Sequence, residues 1–314
     1  MFKPMMLSLV ALGVGLAQFN GPVGLALGPA GELWVANVAS RELHRFTPEQ
    51  LGKGDLKPSV VIRSSGALGD APALVFDPQG NLWAANFSNA TVIMYTPPQL
   101  SASGAPVPAR VLTAGFKNPN DLLFDASGGL WVSDNGNNTL SYFSAAQVAA
   151  AGQQTPSVLL QAGQGSLDGP ASLSLDRQGR LWVANYSGNS LVAFAPEQLG
   201  RSGSPTPRVT LRSAGLNGPT EIAFDASGGV WVPNANGGNL VYFAAGQLER
   251  SGSPSPDKTL SANPAGALAS PNVVLLTPDG GLWVSGYVSN TVLRFAAADV
   301  GAGGSATPSV WLGR

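Results

Sequence analysis

Six tryptophans recur along the chain at a spacing of about 50 residues, and this repeat constrains the fold more than any other feature. Each stands in a similar phrase, GELWVAN around the first and GRLWVAN around the fourth. A period of this length indicates one supersecondary unit repeated six times, which buries its apolar faces only by stacking on its own copies. The tryptophans are Trp34, Trp83, Trp131, Trp182, Trp231 and Trp283.

Each repeat predicts four short strands. A glycine three residues before the tryptophan follows a turn such as DPQG or DASG, and a short apolar stretch precedes that turn. Apolar stretch, tight turn and tryptophan stretch together predict a β-hairpin. A Phe or Tyr twelve residues after the tryptophan marks a third strand, and a loop rich in Gly, Ser and Pro leads to a fourth. Because their register is identical in all repeats, we expect the tryptophans and these aromatics to form the core between units.

Four strands repeated six times predict an all-β fold, a six-bladed β-propeller with four antiparallel strands per blade. We number the blades 1 to 6 in chain order. The first strand begins near Gly24 and the last ends near Leu312, so every blade is complete in sequence order. We therefore expect the ring to close by packing of blade 1 on blade 6, with Trp311 strengthening that seam.

The N-terminus has the pattern of a secretory signal peptide over residues 1–17. Lys3 precedes an apolar run from Met5 to Leu16, and small residues near Ala17 predict cleavage before Gln18. An uncleaved anchor or a misassigned start is the alternative. The propeller domain would then span 18–314, be secreted or periplasmic, and contain no transmembrane segment, since the mature chain has no long apolar run.

Charged residues make up 11% of the chain, whereas typical soluble domains contain about 25%. The formal net charge is −1, and no basic stripe is present that could neutralise phosphates, so nucleic acid is excluded as an expected partner. Cysteine is absent, which excludes disulfides and thiolate chemistry. We expect a monomer whose partner is a small molecule, a glycan or a protein.

The hairpin glycine, the LWVAN-type strand and the following LxxF pattern resemble those of NHL-repeat propellers over essentially the whole mature chain. The resemblance implies the six-bladed ring but little about activity. More distantly, Pro119-Asn120 and Pro271-Asn272 are similar to segments of gluconolactonase and senescence-marker propellers. That family holds a divalent metal at the channel mouth through Glu, Asn and Asp ligands. This chain lacks the Glu of their first blade.

Two groups of polar residues are expected to be structural. Asp77, Asp125, Asp176 and Asp225 open the hairpin turns, where Asp is a common turn residue. His44 is the only histidine, and apolar residues occupy most equivalent positions, which indicates a packed ring rather than a catalytic base. Virginiamycin B lyases, which are built on a similar repeat, depend on histidine chemistry, so a single packed histidine argues against that activity.

The residues at the mouth of the central channel are the candidate site. Three residues past each tryptophan, the second strand ends beside the start of the first strand, and both should lie on one face. The first group is Asn37, Asn86, Asp134, Asn185 and Asn234, with Gly286 in blade 6. The first strands differ at their starts, and blades 3, 5 and 6 place there Asn120, Asp121, Thr220, Glu221 and Asn272. Since repeats diverge where packing does not dictate, this asymmetry is the strongest functional signal.

These ten residues predict a ligand site of oxygen and amide groups, and they leave its ligand open. Asn120, Asp121, Glu221 and Asn272 are the candidate metal ligands, for which Ca²⁺ is the expected ion. The same groups suit a polyol or sugar through hydrogen bonds. Asn is also the turn residue expected at such strand ends, so a mouth that holds only water is a third possibility.

We therefore predict an exported NHL-like propeller that acts as a non-catalytic binding or scaffold module through its channel-mouth face. The alternative is a divalent-metal-dependent, lactonase-like hydrolase, in which Asp121 or Glu221 is the base and a metal-bound water the nucleophile. A cell-envelope interaction protein that uses the long Ser/Gly/Pro loops is a further possibility.

Overall fold

Six β-sheets follow one another along the chain, and each contains one of the six tryptophans, which confirms the six-bladed propeller. The computed structural model describes residues 19–53, 57–163 and 165–313, so the predicted signal segment lies outside the described residues. Neighbouring strands within a blade are antiparallel.

The strands run from the channel outward in each blade. Blade 1 comprises β1 (Pro22–Leu27), β2 (Leu33–Asn37), β3 (Glu42–Phe46) and β4 (Val60–Arg63). Blade 2 comprises β5 (Leu74–Phe76), β6 (Leu82–Asn86), β7 (Thr91–Tyr95) and β8 (Arg110–Thr113). Blade 3 comprises β9 (Pro119–Phe124), β10 (Leu130–Asp134), β11 (Thr139–Phe143) and β13 (Val158–Gln161); the short β12 (Gly152–Gln153) from its loop pairs with blade 2.

The second half of the chain repeats this order. Blade 4 comprises β14 (Pro170–Leu175), β15 (Leu181–Asn185), β16 (Ser190–Phe194) and β17 (Val209–Leu211). Blade 5 comprises β18 (Ala223–Phe224), β19 (Val230–Asn234), β20 (Asn239–Phe243) and β21 (Lys258–Ala262). Blade 6 comprises β22 (Pro271–Leu276), β23 (Leu282–Gly286), β24 (Thr291–Phe295) and β26 (Val310–Leu312), and its β25 (Gly304–Ala306) pairs with blade 5.

Single helical turns follow the third strands, as the sequence predicts. They are the α-helices α1 (Pro48–Lys53), α2 (Ala145–Ala150) and α3 (Ala297–Ala302), and the 3-10 turns Pro97–Leu100, Pro196–Gln198 and Ala245–Leu248; a further 3-10 turn, Phe87–Asn89, follows β6. The glutamine inside several of these turns accepts the N–H of the residue three before it, as Gln147 does from Ser144 at 3.0 Å. This capping box closes the otherwise unpaired first turn.

The core lies between the blades rather than within them. Trp34 and Ile62 of blade 1 share one cluster with Leu82 and Tyr95 of blade 2. The six repeat tryptophans are at most 4% exposed, and the aromatic residues twelve positions later are fully buried. The predicted packing role of both series is therefore confirmed, and it explains why every repeat keeps an aromatic residue at both positions.

The hairpin turns lie at the opposite end of the blades from the channel mouth and use aspartate as predicted. In blade 2, Asp77 Oδ1 accepts the N–H groups of Gln79 at 3.0 Å and Asn81 at 2.9 Å, while Asp77 Oδ2 accepts the indole N–H of Trp83 at 2.8 Å. Asp176 accepts the Trp182 indole N–H in the same way in blade 4, whereas Asp125 and Asp225 of blades 3 and 5 accept the hydroxyls of Tyr142 and Tyr242. In blade 1, Gly28 stands at the aspartate position, and the indole nitrogen of Trp34 is buried without a partner.

The ring closes by direct packing of blade 1 on blade 6. Phe19 and Leu25 share a cluster with Trp283 and Leu312, and Ser285 Oγ donates to the carbonyl of Val23 at 2.7 Å. Trp311 instead packs against the cluster between blades 5 and 6, since alternate residues of an outer strand face opposite sides. The seam residue of this strand is therefore Leu312 and not the predicted Trp311.

A loop from each later blade reaches back to the outer strand of the blade before it. In five seams, a glycine 21 residues after the tryptophan pairs in parallel with that strand. The pairs are Gly104 with Ile62, Gly152 with Leu112, Gly203 with Leu160, Gly252 with Leu211, and Gly304 with Leu260. These arms cover sheet edges that would otherwise present unpaired N–H and C=O groups.

Candidate functional site

A β-bulge at the channel mouth turns consecutive residues of an inner strand toward the propeller axis. In blade 3 the register passes from Asp134 opposite Pro119 to Ser133 opposite Asp121, which leaves Asn120 as an extra residue. Strict alternation would send Asn120 and Asp121 to opposite faces. Because of the bulge both line the channel, Asn120 at the mouth and Asp121 in the interior.

The inner strands of blades 4 and 6 show the same register shift, at Ala171 and Asn272. Blade 5 differs, because β18 begins at Ala223 and so starts later than predicted. Before β18, Thr220 N–H donates to the carbonyl of Pro233 in β19 at 3.1 Å, and the Thr220 hydroxyl donates to the carbonyl of Asn272 in blade 6 at 2.7 Å.

The mouth holds a cavity of about 350 Å³, within the range of small-molecule sites. Of the five predicted hub residues, Asn120, Thr220 and Asn272 line this cavity, whereas Asp121 and Glu221 line a second cavity in the channel interior. The full lining of the mouth cavity is Phe87, Asn120, Asn135, Ala171, Tyr186, Thr220, Ala235, Ser270, Asn272 and Tyr287. Blades 2 to 6 contribute to it, and it contains no carboxylate, lysine, arginine or histidine.

Three asparagine side chains in this lining make no hydrogen bond within the described part of the chain. Asn120, Asn135 and Asn272 are all half-buried. The buried strand-end amides of Asn86, Asn185 and Asn234, by contrast, bond within the fold, as buried amides normally do. Three unpaired amides in one cavity therefore leave both donors and acceptors available to a ligand.

Three aromatic rings stand around the same cavity, on alternate blades. Phe87, Tyr186 and Tyr287 each follow the strand-end residue of blades 2, 4 and 6. A Cβ added to Gly218 of blade 5 would lie 3.1 Å from the Tyr186 ring, and one added to Gly21 of blade 1 would lie 2.8 Å from the Tyr287 ring. Each tyrosine thus rests on a glycine of the next blade, which fixes its position before any ligand binds.

The aromatic residues Phe87, Tyr186 and Tyr287, together with Asn135, are site residues that sequence reasoning missed. The position four residues past each tryptophan reads Val, Phe, Asn, Tyr, Ala, Tyr through the six repeats. This divergence is as marked as that of the inner-strand starts. The same argument, that repeats vary where packing does not dictate, would have found it.

The strand-end residues are buried and bonded within the fold. Asn86 Oδ1 accepts the N–H of Gly69 at 2.6 Å, and its Nδ2 donates to the carbonyl of Ala67 at 2.7 Å. Asn185 and Asn234 bond the equivalent loops, and Asp134 accepts three backbone N–H groups. Asn37 accepts the N–H of Asn20 at 3.2 Å, and its Nδ2 is buried without a partner. These side chains fix the loop that enters each blade and do not line the mouth cavity.

Below the mouth, two carboxyl groups and one hydroxyl link three blades. Asp121 Oδ2 accepts the N–H of Leu173 at 2.7 Å, and Ser172 Oγ donates to Glu221 Oε1 at 2.5 Å. Desolvation raises the pKa of Asp121 to about 6, although the N–H groups of Leu173 and Leu122 oppose this shift. Desolvation also raises the pKa of Glu221 well above its ordinary value, and the charge of Asp121 raises it further.

The donor set does not fit the expected Ca²⁺ ion. The four candidate metal ligands are divided between the mouth, which Asn120 and Asn272 line, and the interior, which Asp121 and Glu221 line. Both oxygens of Asp121 already accept backbone N–H groups. Within residues 19–53, 57–163 and 165–313, no group of three or more His, Asp or Glu side chains is placed to hold a metal ion.

His44 lies away from both cavities. Its ring is 6% exposed on β3, packs near Phe19 and lies 3.1 Å from Glu42 Oε2 through Nε2. Burial lowers the pKa of His44, and the hydrogen bond to Glu42 opposes this shift. The predicted packed ring is therefore what the structure contains.

Comparison with solved structures gives the same fold. A streptogramin B lyase superposes with a TM-score of 0.61 at 11% identity, over 91% of this chain and 82% of that one. Selenomethionine-substituted virginiamycin B lyase from Staphylococcus aureus has a TM-score of 0.59 at 13% identity, over 89% of this chain and 82% of that one. A catalytically inactive histidine-to-alanine variant of the same lyase, with quinupristin, has a TM-score of 0.58 at 14% identity, over 85% of this chain and 78% of that one.

Sequence comparison adds no family. No family model matches the chain, and no curated protein matches it. Structural likeness at 11–14% identity shows the fold alone, so the NHL resemblance stays a prediction. The fold and the site define a six-bladed propeller with an uncharged, aromatic and amide-lined cavity at its channel mouth. In the described part of the chain, no helix has the length and apolar character needed to cross a membrane.

Proposed function

We propose that this chain is a non-catalytic binding module that takes a neutral sugar or similar polyol in the channel-mouth cavity. The observation that carries the proposal is the convergence of three unpaired, half-buried amides, those of Asn120, Asn135 and Asn272, on one cavity. Such amides both donate to and accept from hydroxyl groups, which is what a polyol requires. The unpaired amide groups therefore favour a ligand that can form hydrogen bonds with them.

The aromatic rings supply the second half of a sugar site. A pyranose has hydroxyls at its edge and apolar C–H faces, and Tyr287, which is 42% exposed, offers a flat surface to such a face. An uncharged lining suits an uncharged ligand, because an ion would lose its hydration there without gaining a partner. Export before Gln18 and a monomeric state remain part of this proposal, and both rest on the sequence.

Calorimetric titration and a printed array of neutral oligosaccharides test the proposal. We expect saturable binding to a subset of the array, and Tyr287→Ala should weaken it at least tenfold, equivalent to about 1.4 kcal/mol. Asn272→Ala should weaken it severalfold, since a hydrogen bond contributes about 0.5–1.5 kcal/mol. Asn217→Ala is the matched control, because its exposed side chain lies outside the cavity lining. Binding that survives loss of both Tyr287 and Asn272 would refute a site at the mouth.

The alternative of a metal-dependent hydrolase is favoured by one observation, the presence of two carboxyl groups in the channel interior, where burial and then the charge of Asp121 raise the pKa of Glu221. Titration of chelator-treated protein with Ca²⁺ separates the two functions. We expect no binding heat and no rise in melting temperature, because the oxygens of Asp121 are already engaged. Binding that disappears in Asp121→Asn would instead establish the metal site.

A lyase activity like that named for the structural neighbours has no comparable support. A histidine-to-alanine variant of one of those enzymes is described as catalytically inactive. The single histidine of this chain, His44, is buried between blades and does not line the mouth cavity. We therefore do not extend that activity to this chain.

A further inference from the structure

The three rings of the mouth cavity have a geometry of their own. Phe87, Tyr186 and Tyr287 belong to blades 2, 4 and 6, so in a six-bladed ring they are separated by about a third of a turn around the axis. Rings arranged this way form the wall of a cup. A cleft for an extended chain would instead need aromatic surfaces in a row across the face.

The cup has a floor. The mouth cavity and the interior cavity share no lining residue. Asp121, Ser172 and Glu221 lie between them, one residue further along the chain than the mouth-lining Asn120, Ala171 and Thr220. Hydrogen bonds connect blades 3, 4 and 5 at this level: the Ser172 hydroxyl donates to Glu221, and Asp121 accepts the N–H of Leu173. These side chains separate the mouth cavity from the interior cavity on this side of the channel.

The wall is incomplete on one side only. Five blades contribute residues to the lining, and blade 1 contributes none. In blade 1 the residue equivalent to Phe87, Tyr186 and Tyr287 is Val38, which lies beside Gly21 and does not line the cavity. An internal segment of a glycan would need openings on two opposite sides, one for each direction in which its chain continues.

We infer that the site binds the terminal residue of a glycan and rejects the same residue within a chain. This rests on the proposed function and specifies its ligand. The terminal sugar enters the cup, places one face against a tyrosine ring and pairs its hydroxyls with the amides of Asn120, Asn135 and Asn272. The rest of the glycan leaves over blade 1 or away from the protein.

The test uses the full-length mature protein on an array of paired neutral glycans. Each pair contains the same residue, once at the non-reducing end and once capped by one further sugar. We expect capping to reduce binding at least tenfold for every glycan that binds, and exoglycosidase removal of the terminal residue to abolish the signal at the same positions. Capped and uncapped glycans that bind equally would overturn the inference and leave the proposed sugar site intact. An array on which nothing binds would overturn both.

Two variants test whether the discrimination against capped glycans depends on the aromatic wall of the cavity. Gly218→Ala adds a methyl group 3.1 Å from the Tyr186 ring and 2.6 Å from the Asn236 amide, so the ring must shift. We expect weaker binding of uncapped glycans, with a folded circular dichroism spectrum. Because Gly218 has a φ of +65°, the substitution also strains the backbone, and Tyr186→Ala removes the ring without that strain. Wild-type discrimination against capped glycans in Tyr186→Ala would argue against a role for the ring wall.

Discussion

Tyr95 is the one aromatic residue of its series that carries a hydroxyl, and Tyr95→Phe should stabilise the protein. The side chain is fully buried between blades 1 and 2, and its hydroxyl has no hydrogen-bond partner. The other five repeats have phenylalanine at this position. An unpaired buried polar group costs about 1–3 kcal/mol. A hole of roughly 12 Å³ left by the oxygen would cost about 0.3 kcal/mol, so the net gain is about 1 kcal/mol or more.

The same substitution should change the pH dependence of stability. Burial raises the pKa of Tyr95 to about 12, against 10.0 for the ordinary side chain. Because the folded pKa lies above the unfolded one, the contribution to stability is complete below pH 10 and is lost as the pH rises towards 12. The wild-type protein should therefore lose about 1 kcal/mol per pH unit in this range through Tyr95, and the variant should not.

Urea unfolding at pH 7.5 and at pH 10.5, followed by tryptophan fluorescence, measures both effects. We expect a higher midpoint for Tyr95→Phe at pH 7.5 and a larger difference at pH 10.5, with an unchanged slope. Phe194→Tyr is the matched control, because it introduces a hydroxyl at the equivalent fully buried position of blade 4 and should destabilise. A variant less stable than wild type at both pH values would show that the hydroxyl has a partner and that the reasoning fails.

The remaining predictions concern the turn of blade 1, the interior carboxyl groups and the aromatic core. Gly28→Asp combined with Glu32→Gly should give the Trp34 indole the acceptor that Asp77 supplies to Trp83, and raise the unfolding free energy by about 1 kcal/mol in urea titrations. Since the pKa of Asp121 is raised to about 6, its contribution to stability is lost as the pH rises from 4 through 6. Asp121→Asn with Glu221→Gln should flatten that part of the stability profile; an unchanged slope would contradict it. Phe194→Ala should cost about 3–5 kcal/mol, and a loss below 1 kcal/mol would mean that the ring is not core.

The fold was accessible from sequence because packing between blades repeats the same requirement six times. Trp182 and Phe194 recur in register since every seam has the same shape, so their spacing specifies both strands and ring. The seam between blades 6 and 1 was harder to specify. The side on which Trp311 packs depends on the alternation of one short strand, and a shift of one residue exchanges it with Leu312.

The candidate site could be predicted only in part. Divergence between repeats located Asn120, Thr220 and Asn272 at the mouth. It could not show that Asp121 lies at a different level from Asn120, because the bulge between them depends on hydrogen-bond register rather than on residue type. Nor could it separate the structural asparagines from the unpaired ones, since one amide side chain serves both purposes and only its neighbours differ.

The loops that reach back from each blade to its predecessor give the ring a direction. The outer edge of a blade acquires its parallel partner only from the blade that follows it in the chain. We therefore expect that, during synthesis from the N-terminus, the outer edge of a blade stays unpaired until the loop of the following blade has been made. Exposure of an unpaired outer edge to wrong strand pairing should then be greatest at the blade made last.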